Sequence, residues 1–455
     1  MKNPKIGLLP LYIKLYDDFT PHYRTKIEAF QKLISDELKK RNIEVIDVPV
    51  CRLKEEFKNA VDTFISSDAD AIVTLHLAYS PSLESADVLR DCGLPIIVLD
   101  TTPDYVYNGE TDPSALSYNH GIHGVQDMCN MLRRNNCNYT VCAGHWERSD
   151  VLDRVKKAAT GAKLAKAFKN SRAGMVGDPF DGMGDFQVDY NLLNINVIKY
   201  DGRSYEIRDD EIENEYRMDS AKYDLSDISK DVYIDTVKVE LKLRKWIEEN
   251  RLDSFTINFL STSENGALPY MPFCAAGKAM RDGVGYAGEG DIMTSVLVGV
   301  LLKEFECTSF TEMFCPDWQG DTIFLSHMGE QNLKCADETA GIKMYQKNFP
   351  YTTAGNPTAL FGTFKKGNVL FICIAPQANN KFALIVASGE MLGSPEINKH
   401  KSDVNGWFKP NMPIIDFLEK YSKYGGIHHA ALVYDYDIDI IKQFAGNMDF
   451  EYIEI

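Results

Sequence analysis

Residues 5–50 read KIGLLPLYIKLYDDFTPHYRTKIEAFQKLISDELKKRNIEVIDVPV. The first apolar run, Lys5–Ile13, predicts a strand, and 44–50 (EVIDVPV) predicts another. Between them Ile27, Phe30, Ile34 and Leu38 recur at helical spacing. The same grammar continues: a helix near 53–67, a strand at 69–77, a helix near 84–92, a strand at 94–100, a helical segment at 122–136 and a strand at 139–145. Short, nearly all-apolar strands separated by amphipathic helices indicate a parallel sheet covered on both faces.

A long polar helix over 149–169 leads to RAGMVGD (172–178), where a second α/β layer starts. INVIKYD (195–201), a helix over 235–250 and SFTINF (254–259) continue it. The stretch 202–232 is charged and lacks clear periodicity, which suits a surface excursion or a loop over a cleft. From 321 the pattern changes. TIFLSHM (322–328), TALFGTF (358–364), NVLFICIAP (368–376) and KFALIVASG (381–389) follow one another, with hairpin connections expected at Gly367-Asn368 and Asn379-Asn380-Lys381. The fold expectation is therefore two Rossmann-like α/β domains with parallel sheets (1–170 and 171–320) and a C-terminal antiparallel, barrel-like domain (321–455).

The composition suits a multidomain globular chain: 455 residues, 44% hydrophobic and 25% charged. No apolar run approaches the about 20 residues a bilayer-spanning helix needs. The net charge of −17 repels phosphate backbones, which disfavours nucleic acid as a general partner. The N-terminal MKNPKIGLLPLYIKLYDD is interrupted by Pro10 and Lys14 and reads as a first strand rather than a signal peptide. Ten cysteines, scattered from Cys51 to Cys373 with no CxxC pair, read as reduced, largely buried thiols in a cytoplasmic protein.

DGVGYAGEGD (282–291) contains a formal GxGxxG in Gly283, Gly285 and Gly288. It follows a polar, helical GKAMRDG rather than a strand, and Glu289 and Asp291 put negative charge where a pyrophosphate would sit. It reads better as a glycine-rich turn presenting Glu289 at the mouth of a helix over 292–304, with Asp291 as N-cap. Glu312 lies in the semi-apolar TSFTEMF, and His327 shares a strand face with Ile323 and Leu325. In GGIHHAALVYD, strand alternation sends His428 and His429 to opposite faces, so at most one enters a common site. Each of these residues has an ordinary structural role open to it. Together they make a two-carboxylate, two-imidazole set without cysteine, suited to Mn²⁺ or a similar divalent ion with positions open to substrate oxygens. No G-x-S-x-G elbow and no GxxxxGK[ST] loop occurs.

GVGYAGEGD, TSFTEM, LSHM and GGIHHA, in that order, resemble the metal-site motifs of the L-arabinose isomerase and L-fucose isomerase family, the L-arabinose isomerases more closely. The resemblance implies that Glu289, Glu312, His327 and His429 hold Mn²⁺, or another divalent metal such as Co²⁺ or Mg²⁺. The two glutamates would also serve as acid and base for an aldose–ketose isomerisation through an enediol. Shorter matches, among them Leu75-His76 with Ser80-Pro81, Asn119-His120-Gly121 and Gly177-Asp178, imply a sugar pocket drawing on Tyr12, His76, His120, Phe180 and Phe259. They also imply a homo-oligomer, trimer or hexamer, with active sites at subunit interfaces. Where L-arabinose isomerases end their first strand Gln-His-Leu-Tyr-Gly, this chain has Leu9-Pro10-Leu11-Tyr12-Ile13, and the sugar-contacting Gln is gone. The segment from Phe259 to Glu289 also differs in length. The alternative is a non-catalytic sugar-binding or regulatory protein on the same α/β layers.

Overall fold

The computed structural model describes residues 3–203, 205–263, 268–400 and 402–455. These fall into two compact units: 1–166 with 437–449, and 167–436 with 450–455.

The first unit is built on a five-stranded sheet of β1 (Lys5–Leu11), β2 (Glu44–Asp47), β3 (Ala71–His76), β4 (Ile96–Asp100) and β5 (Tyr139–Ala143). The order is β2-β1-β3-β4-β5 and every pairing is parallel. Alternation in β1 sends Ile6 and Leu8 to one face and Leu9 and Leu11 to the other. Ile6 and Leu8 meet Ile27, Phe30, Ile34 and Leu38 of the helix Arg24–Lys40. Leu9 and Leu11 meet Phe57, Val61 and Phe64 of the helix Lys54–Ser66. The helix Val151–Lys169, expected to be polar, buries Val151, Leu152, Val155, Ala158, Ala159 and Ala162 against the first face. Half of these contacts are made by alanines, which a scan for large apolar residues undercounts. The segment Asp437–Asp449 completes the unit: Gln443 accepts from Thr140 Oγ1 at 2.7 Å, and Gly446 O accepts from Asn138 Nδ2 at 2.6 Å.

In the second unit, β6 (Arg172–Val176), β7 (Asn196–Lys199), β8 (Ser254–Ile257) and β9 (Gly285–Gly288) form a parallel sheet in the order β7-β6-β8-β9. Two α/β layers are thus present, as expected. The antiparallel region is a closed barrel. Its strands are β10 (Thr308–Asp317), β11 (Thr322–Ser326), β14 (Gly367–Gln377), β15 (Lys381–Met391), β16 (Gly406–Pro410) and β17 (His429–Tyr434). They run β14-β17-β10-β11-β16-β15, and β15 pairs back onto β14 over Gly367↔Met391 to Gln377↔Lys381. A last strand, β18 (Glu451–Glu454), adds parallel to β15.

Three expectations are revised. Antiparallel pairing begins at Thr308, ahead of residue 321. TALFGTF is not a barrel strand: β13 (Thr358–Phe361) pairs with β12 (Lys343–Gln346) in a separate two-stranded sheet, so Gly367-Asn368 opens β14 instead of turning a hairpin. The Asn379-Asn380 turn does join β14 to β15, with both residues at positive φ. Finally, the charged stretch 202–232 contains a helix, Asp209–Ser220, whose buried residues are Ile212, Glu215 and Asp219.

Hydrophobic periodicity could not reveal that helix because its inward face is acidic. The complement is Lys278, whose Nζ lies 2.8 Å from Glu215, 2.6 Å from Asp219 and 2.9 Å from Glu240, all of them buried. Arg244 adds a bidentate pair to Glu215 at 3.0 Å. Three acids face two cations, and burial, opposed by Lys278 and Arg244, pushes the Glu240 carboxyl up to about 7. Lys278→Met strands these acids in the interior and is expected to cost about 3–5 kcal/mol in a urea unfolding midpoint. Glu240→Gln, which removes the acid that most easily holds a proton, is expected to cost much less.

Candidate metal centre and its second layer of acids

The C-terminal ends of three adjacent parallel strands supply one side of the site, where ligands of open α/β sheets bind. Phe180 follows β6, Phe259 follows β8 and Glu289 follows β9 directly. Glu289 has φ +62°, a left-handed conformation that costs a non-glycine residue about 1–3 kcal/mol. Backbone contacts hold it there. Its N–H donates to Ile257 O at 2.9 Å, and its C=O accepts from Phe180 N at 2.9 Å. The next N–H, of Gly290, donates to Thr256 Oγ1 at 3.0 Å. Gly290 itself, at φ +87°, lies so close to Pro179 that a Cβ there would sit 2.5 Å from its Cα.

The barrel supplies the other side. Glu312 and His429 are direct cross-strand partners in the β10–β17 pair, and Glu312 is opposite Ser326 of β11, with His327 the next residue. A register shift between Met313 and Cys315 kinks β10 just beyond Glu312. His429 Nε2 lies 3.0 Å from Glu312 Oε1 and 3.5 Å from Glu289 Oε2, and His327 Nε2 lies 3.2 Å from Glu312 Oε1. Glu289, Glu312 and His429, three of the residues read from the sequence, therefore converge, and His327 reaches the group through Glu312.

His428 joins them, contrary to the alternation argument. β17 begins at His429, so residue 428 is not in strand geometry and the two imidazoles lie side by side, ring centroids 4.1 Å apart. His428 Nε2 is 3.6 Å from Glu289 Oε2. Glu289, Glu312, His428 and His429 each offer one ligand atom within 4.8 Å of the others.

Each imidazole is oriented by an acid at its other nitrogen. His327 Nδ1 meets Glu330 Oε2 at 2.6 Å, His428 Nδ1 meets Asp185 Oδ2 at 2.6 Å, and His429 Nδ1 meets Asp291 Oδ2 at 2.9 Å. Tyr286 donates its hydroxyl to Glu330 at 2.8 Å. Such carboxylate–histidine pairs fix ring orientation and raise ligand basicity. Rings wall the site: Phe186 stacks on His429 at 5.1 Å, and Phe310 meets both His327 and His429 edge-on. Asp185 and Phe186 carry no local spacing signal, since both sit in a loop far in sequence from the histidines they serve, whereas Glu330 lies only three residues beyond His327 and that spacing went unread. Asp291 was legible only as a helix cap. It is one, its Oδ1 accepting from Thr294 N at 2.9 Å.

Charge in the site is strongly coupled. Burial alone would raise Glu289, yet His428 and His429 hold it down to about 2. Burial likewise opposes the shift of Glu312, which His327 and His429 hold well below the usual carboxylate range. The histidines move the other way: against burial, Glu330 and Glu312 carry His327 up to about 10, and Asp185 and Glu289 carry His428 up to about 9. A pocket that draws protons onto its imidazoles in this way is one in which a cation is favoured.

Glu289 Oε2, Glu312 Oε1 and His429 Nε2 are buried without a hydrogen-bond partner, and all three point to the shared centre. The other acidic grouping among the described residues, Glu215, Asp219 and Glu240, differs because the Lys278 ammonium already fills it. The unpaired donors therefore fit a divalent ion. Beside them is a cavity of about 240 Å³ whose far wall includes Phe259, Met271, Phe273, Phe349 and Tyr351, with Glu289 and His327 on the near side. Phe180 is not part of that lining but packs against Phe259, ring centroids 5.5 Å apart.

Tyr12, His76 and His120 belong to the first unit. Tyr12 is a core residue, 1% exposed. His76 is buried with neither nitrogen hydrogen-bonded, and burial pushes it down to about 3. His120 is half-buried, with Nε2 2.9 Å from the Tyr16 hydroxyl and Nδ1 2.8 Å from Leu116 O.

Residues 180–305 match the L-arabinose isomerase central domain and residues 307–451 match the L-arabinose isomerase C-terminal domain, together more than half of the chain. The chain belongs to the L-arabinose isomerase family. It is accordingly a sugar isomerase, an intramolecular oxidoreductase. An L-arabinose isomerase from Mannheimia succiniciproducens is 23% identical over 369 residues, 76% of this chain and 73% of that protein. One from Halalkalibacterium halodurans is 23% identical over 412 residues, 85% of this chain and 81% of that protein. A periplasmic solute binding protein from Actinobacillus succinogenes with bound D-allose, a solved structure, covers 68% of this chain and 85% of its own at 12% identity. Its TM-score of 0.17 carries no weight for the fold. The two L-arabinose isomerase domains contain Glu289, Glu312, His327, His428 and His429, whereas Tyr12, His76 and His120 lie outside them.

Asp291 serves two structures at once, and its variants separate them. Asp291→Asn keeps an acceptor for the helix cap, whereas Asp291→Ala removes both the cap and the His429 contact. The alanine variant is expected to lose at least about 1 kcal/mol more in a denaturant midpoint than the asparagine variant.

Proposed function

We propose that this protein is a divalent-metal-dependent aldose–ketose isomerase acting on a pentose or hexose of the L-arabinose, L-fucose or D-galactose type. The observation that carries the proposal is the convergence of unpaired Glu289, Glu312 and His429 atoms beside a cavity of sugar-accommodating size. Glu289, Glu312, His327 and His429 would hold the ion, for which Mn²⁺, Co²⁺ or Mg²⁺ suits the mixed carboxylate and imidazole donors. Bound there, a divalent ion would act as Lewis acid and template for the two sugar oxygens that exchange a carbonyl.

The chain's own residues would supply the remainder. The proton to be moved lies on the carbon beside the carbonyl and is poorly acidic in water. A carboxylate must therefore approach it while a second acid–base group serves the hydroxyl. Glu289 and Glu312 approach from the two sides of the site, the first from the α/β sheet and the second from the barrel, and share these roles. His428 keeps 38% of its side chain exposed and is held by Asp185, which suits a hydrogen bond to a sugar hydroxyl. Phe180, Phe259 and the other rings exclude water and pack against the sugar's C–H faces. Of the first-unit residues, His120 is half-buried and would add a sugar contact in a neighbouring subunit, whereas Tyr12 and His76 are buried within their own unit. Leu9-Pro10-Leu11 offers no polar replacement for the family's first-strand glutamine, so the sugar preference need not match that of the relatives.

The homo-oligomer, trimer or hexamer, and the cytoplasmic location belong to the same proposal. Exposed Leu15, Phe19, Tyr105, Val106, Leu116 and Ile122 in the first unit support association. The ten unpaired cysteines support a reducing compartment. Among the described residues no helix is long and apolar enough to cross a membrane.

The test is a panel of aldoses assayed for ketose formation with added Mn²⁺. Glu289→Gln and Glu312→Gln are each expected to lower turnover by at least about 10²-fold, the lower range of a general acid–base contribution. Circular dichroism should show the fold retained. Chelation should abolish turnover and Mn²⁺ restore it. Turnover undiminished in both variants would overturn the assignment of the two carboxylates, and a purified protein that neither binds a divalent ion nor forms ketose would leave the sugar-binding or regulatory alternative.

Deuterium from ²H₂O is expected in the product if a carboxylate shuttles the proton through an enediol. Its absence, with activity intact, would point to hydride transfer.

A further inference from the structure

Cys307, Cys335 and Lys365 meet where the chain enters β10, and the isomerase site uses none of them. Lys365 Nζ lies 3.0 Å from Cys307 Sγ. Cys335, 0% exposed, interacts through its thiol with the same sulfur, and Cys307 Sγ also lies 3.6 Å from Lys334 O. Cys307 is only half-buried, so a small reagent can reach it.

The backbone locks this arrangement. Lys365 N donates to Cys335 O at 2.8 Å and Tyr434 N donates to Cys307 O at 2.9 Å. Tyr434 returns its hydroxyl to Lys365 O at 2.7 Å, and the Lys365 ammonium stands 5.0 Å over the Tyr434 ring. Asn332 Nδ2 bridges Glu306 O and Thr308 O, on either side of Cys307.

The thiolate is the nucleophilic form of cysteine, and a neighbouring ammonium favours it. At Cys307 the Cys335 S–H and Lys365 outweigh burial and Asp435, and hold the thiol down to about 6. Elsewhere burial pushes thiols up, to about 12 at Cys51 and about 11 at Cys142 and Cys373. The remaining charged neighbours, Lys334 and Glu306, are paired with each other at 3.0 Å.

We propose that Cys307 and Cys335 are a peroxide-reactive thiol pair, with Cys307 the attacking sulfur, Cys335 the resolving sulfur and Lys365 the positioning cation. The Cys307 thiolate attacks one oxygen of hydrogen peroxide, the O–O bond breaks, and hydroxide leaves to be protonated to water. The resulting sulfenic acid is then attacked by the Cys335 sulfur, which forms the disulfide. The expelled hydroxide takes the Cys335 proton and leaves as a second water. Two thiols are oxidised by two electrons and one peroxide is reduced to two waters. The bond formed joins the entry to the strand bearing Glu312 to the turn that follows His327 and Glu330.

The test oxidises the unsubstituted full-length protein with substoichiometric hydrogen peroxide, blocks free thiols with N-ethylmaleimide and maps peptides without reduction. The expected first product is a Cys307–Cys335 cross-linked peptide. In Cys335→Ser, dimedone is expected to label Cys307. Lys365→Met should slow oxidation at neutral pH about tenfold or more, because the thiolate fraction falls, whereas Lys365→Arg should retain most of the rate. The proposal is overturned if the exposed Cys315 is modified while Cys307 and Cys335 stay reduced, if dimedone fails to label the Cys335→Ser protein, or if Lys365→Met oxidises at the unsubstituted rate.

Discussion

One carboxylate ties the candidate centre together. Asp291 is wholly buried, and its two oxygens face different structures: Oδ1 caps the helix Ile292–Leu301, and Oδ2 holds the His429 ring. That helix is buried along its whole length, so its start is set by packing and not by solvent. Glu289 stands two residues before Asp291, and His429 begins a barrel strand opposite Glu312. The helix cap therefore fixes the relative placement of donors from the α/β sheet and from the barrel. A flexible acid at 291 would leave each half of the site well folded and the ligands unregistered.

The interior resolves charge in two contrasting ways. Around Lys278 an ammonium meets its acids at hydrogen-bond distance, and the cluster is closed. Around Glu289 and Glu312 the acids face imidazoles whose far nitrogens are already committed to Glu330, Asp185 and Asp291. The near nitrogens cannot all be satisfied by the carboxylates, as the orphaned atoms at the centre show. A closed cluster of acids stabilises a helix packing, whereas an open one is chemistry waiting for a cation. The strained backbone at Glu289 belongs to the second kind, tolerated because contacts to Ile257 and Phe180 hold it in place.

Much of this was readable in the chain. Ile27, Phe30, Ile34 and Leu38 gave the helix Arg24–Lys40, and the apolar strands gave parallel sheets, because buried elements leave a period in hydrophobicity. Glu289, Glu312, His327 and His429 were recoverable through motif resemblance. The helix Asp209–Ser220 was missed because its buried face is acidic and its partner Lys278 is remote in sequence. TALFGTF read as a barrel strand because a two-stranded sheet has the same local pattern. His428 was sent to the wrong face because alternation was applied one residue before the strand begins.

The sequence by itself determined the layers and the antiparallel C-terminal region. These depend on local periodicity, turn chemistry and residue type, all of which are short-range. Only the tertiary structure decided that β17 lies between β14 and β10, that Glu312 faces His429 across a strand pair, and that Asp185 and Asp291 stand behind His428 and His429. Those relations join residues far apart along the chain. Strand register and buried charge pairing are settled by which surfaces meet, and a linear pattern carries no record of that meeting.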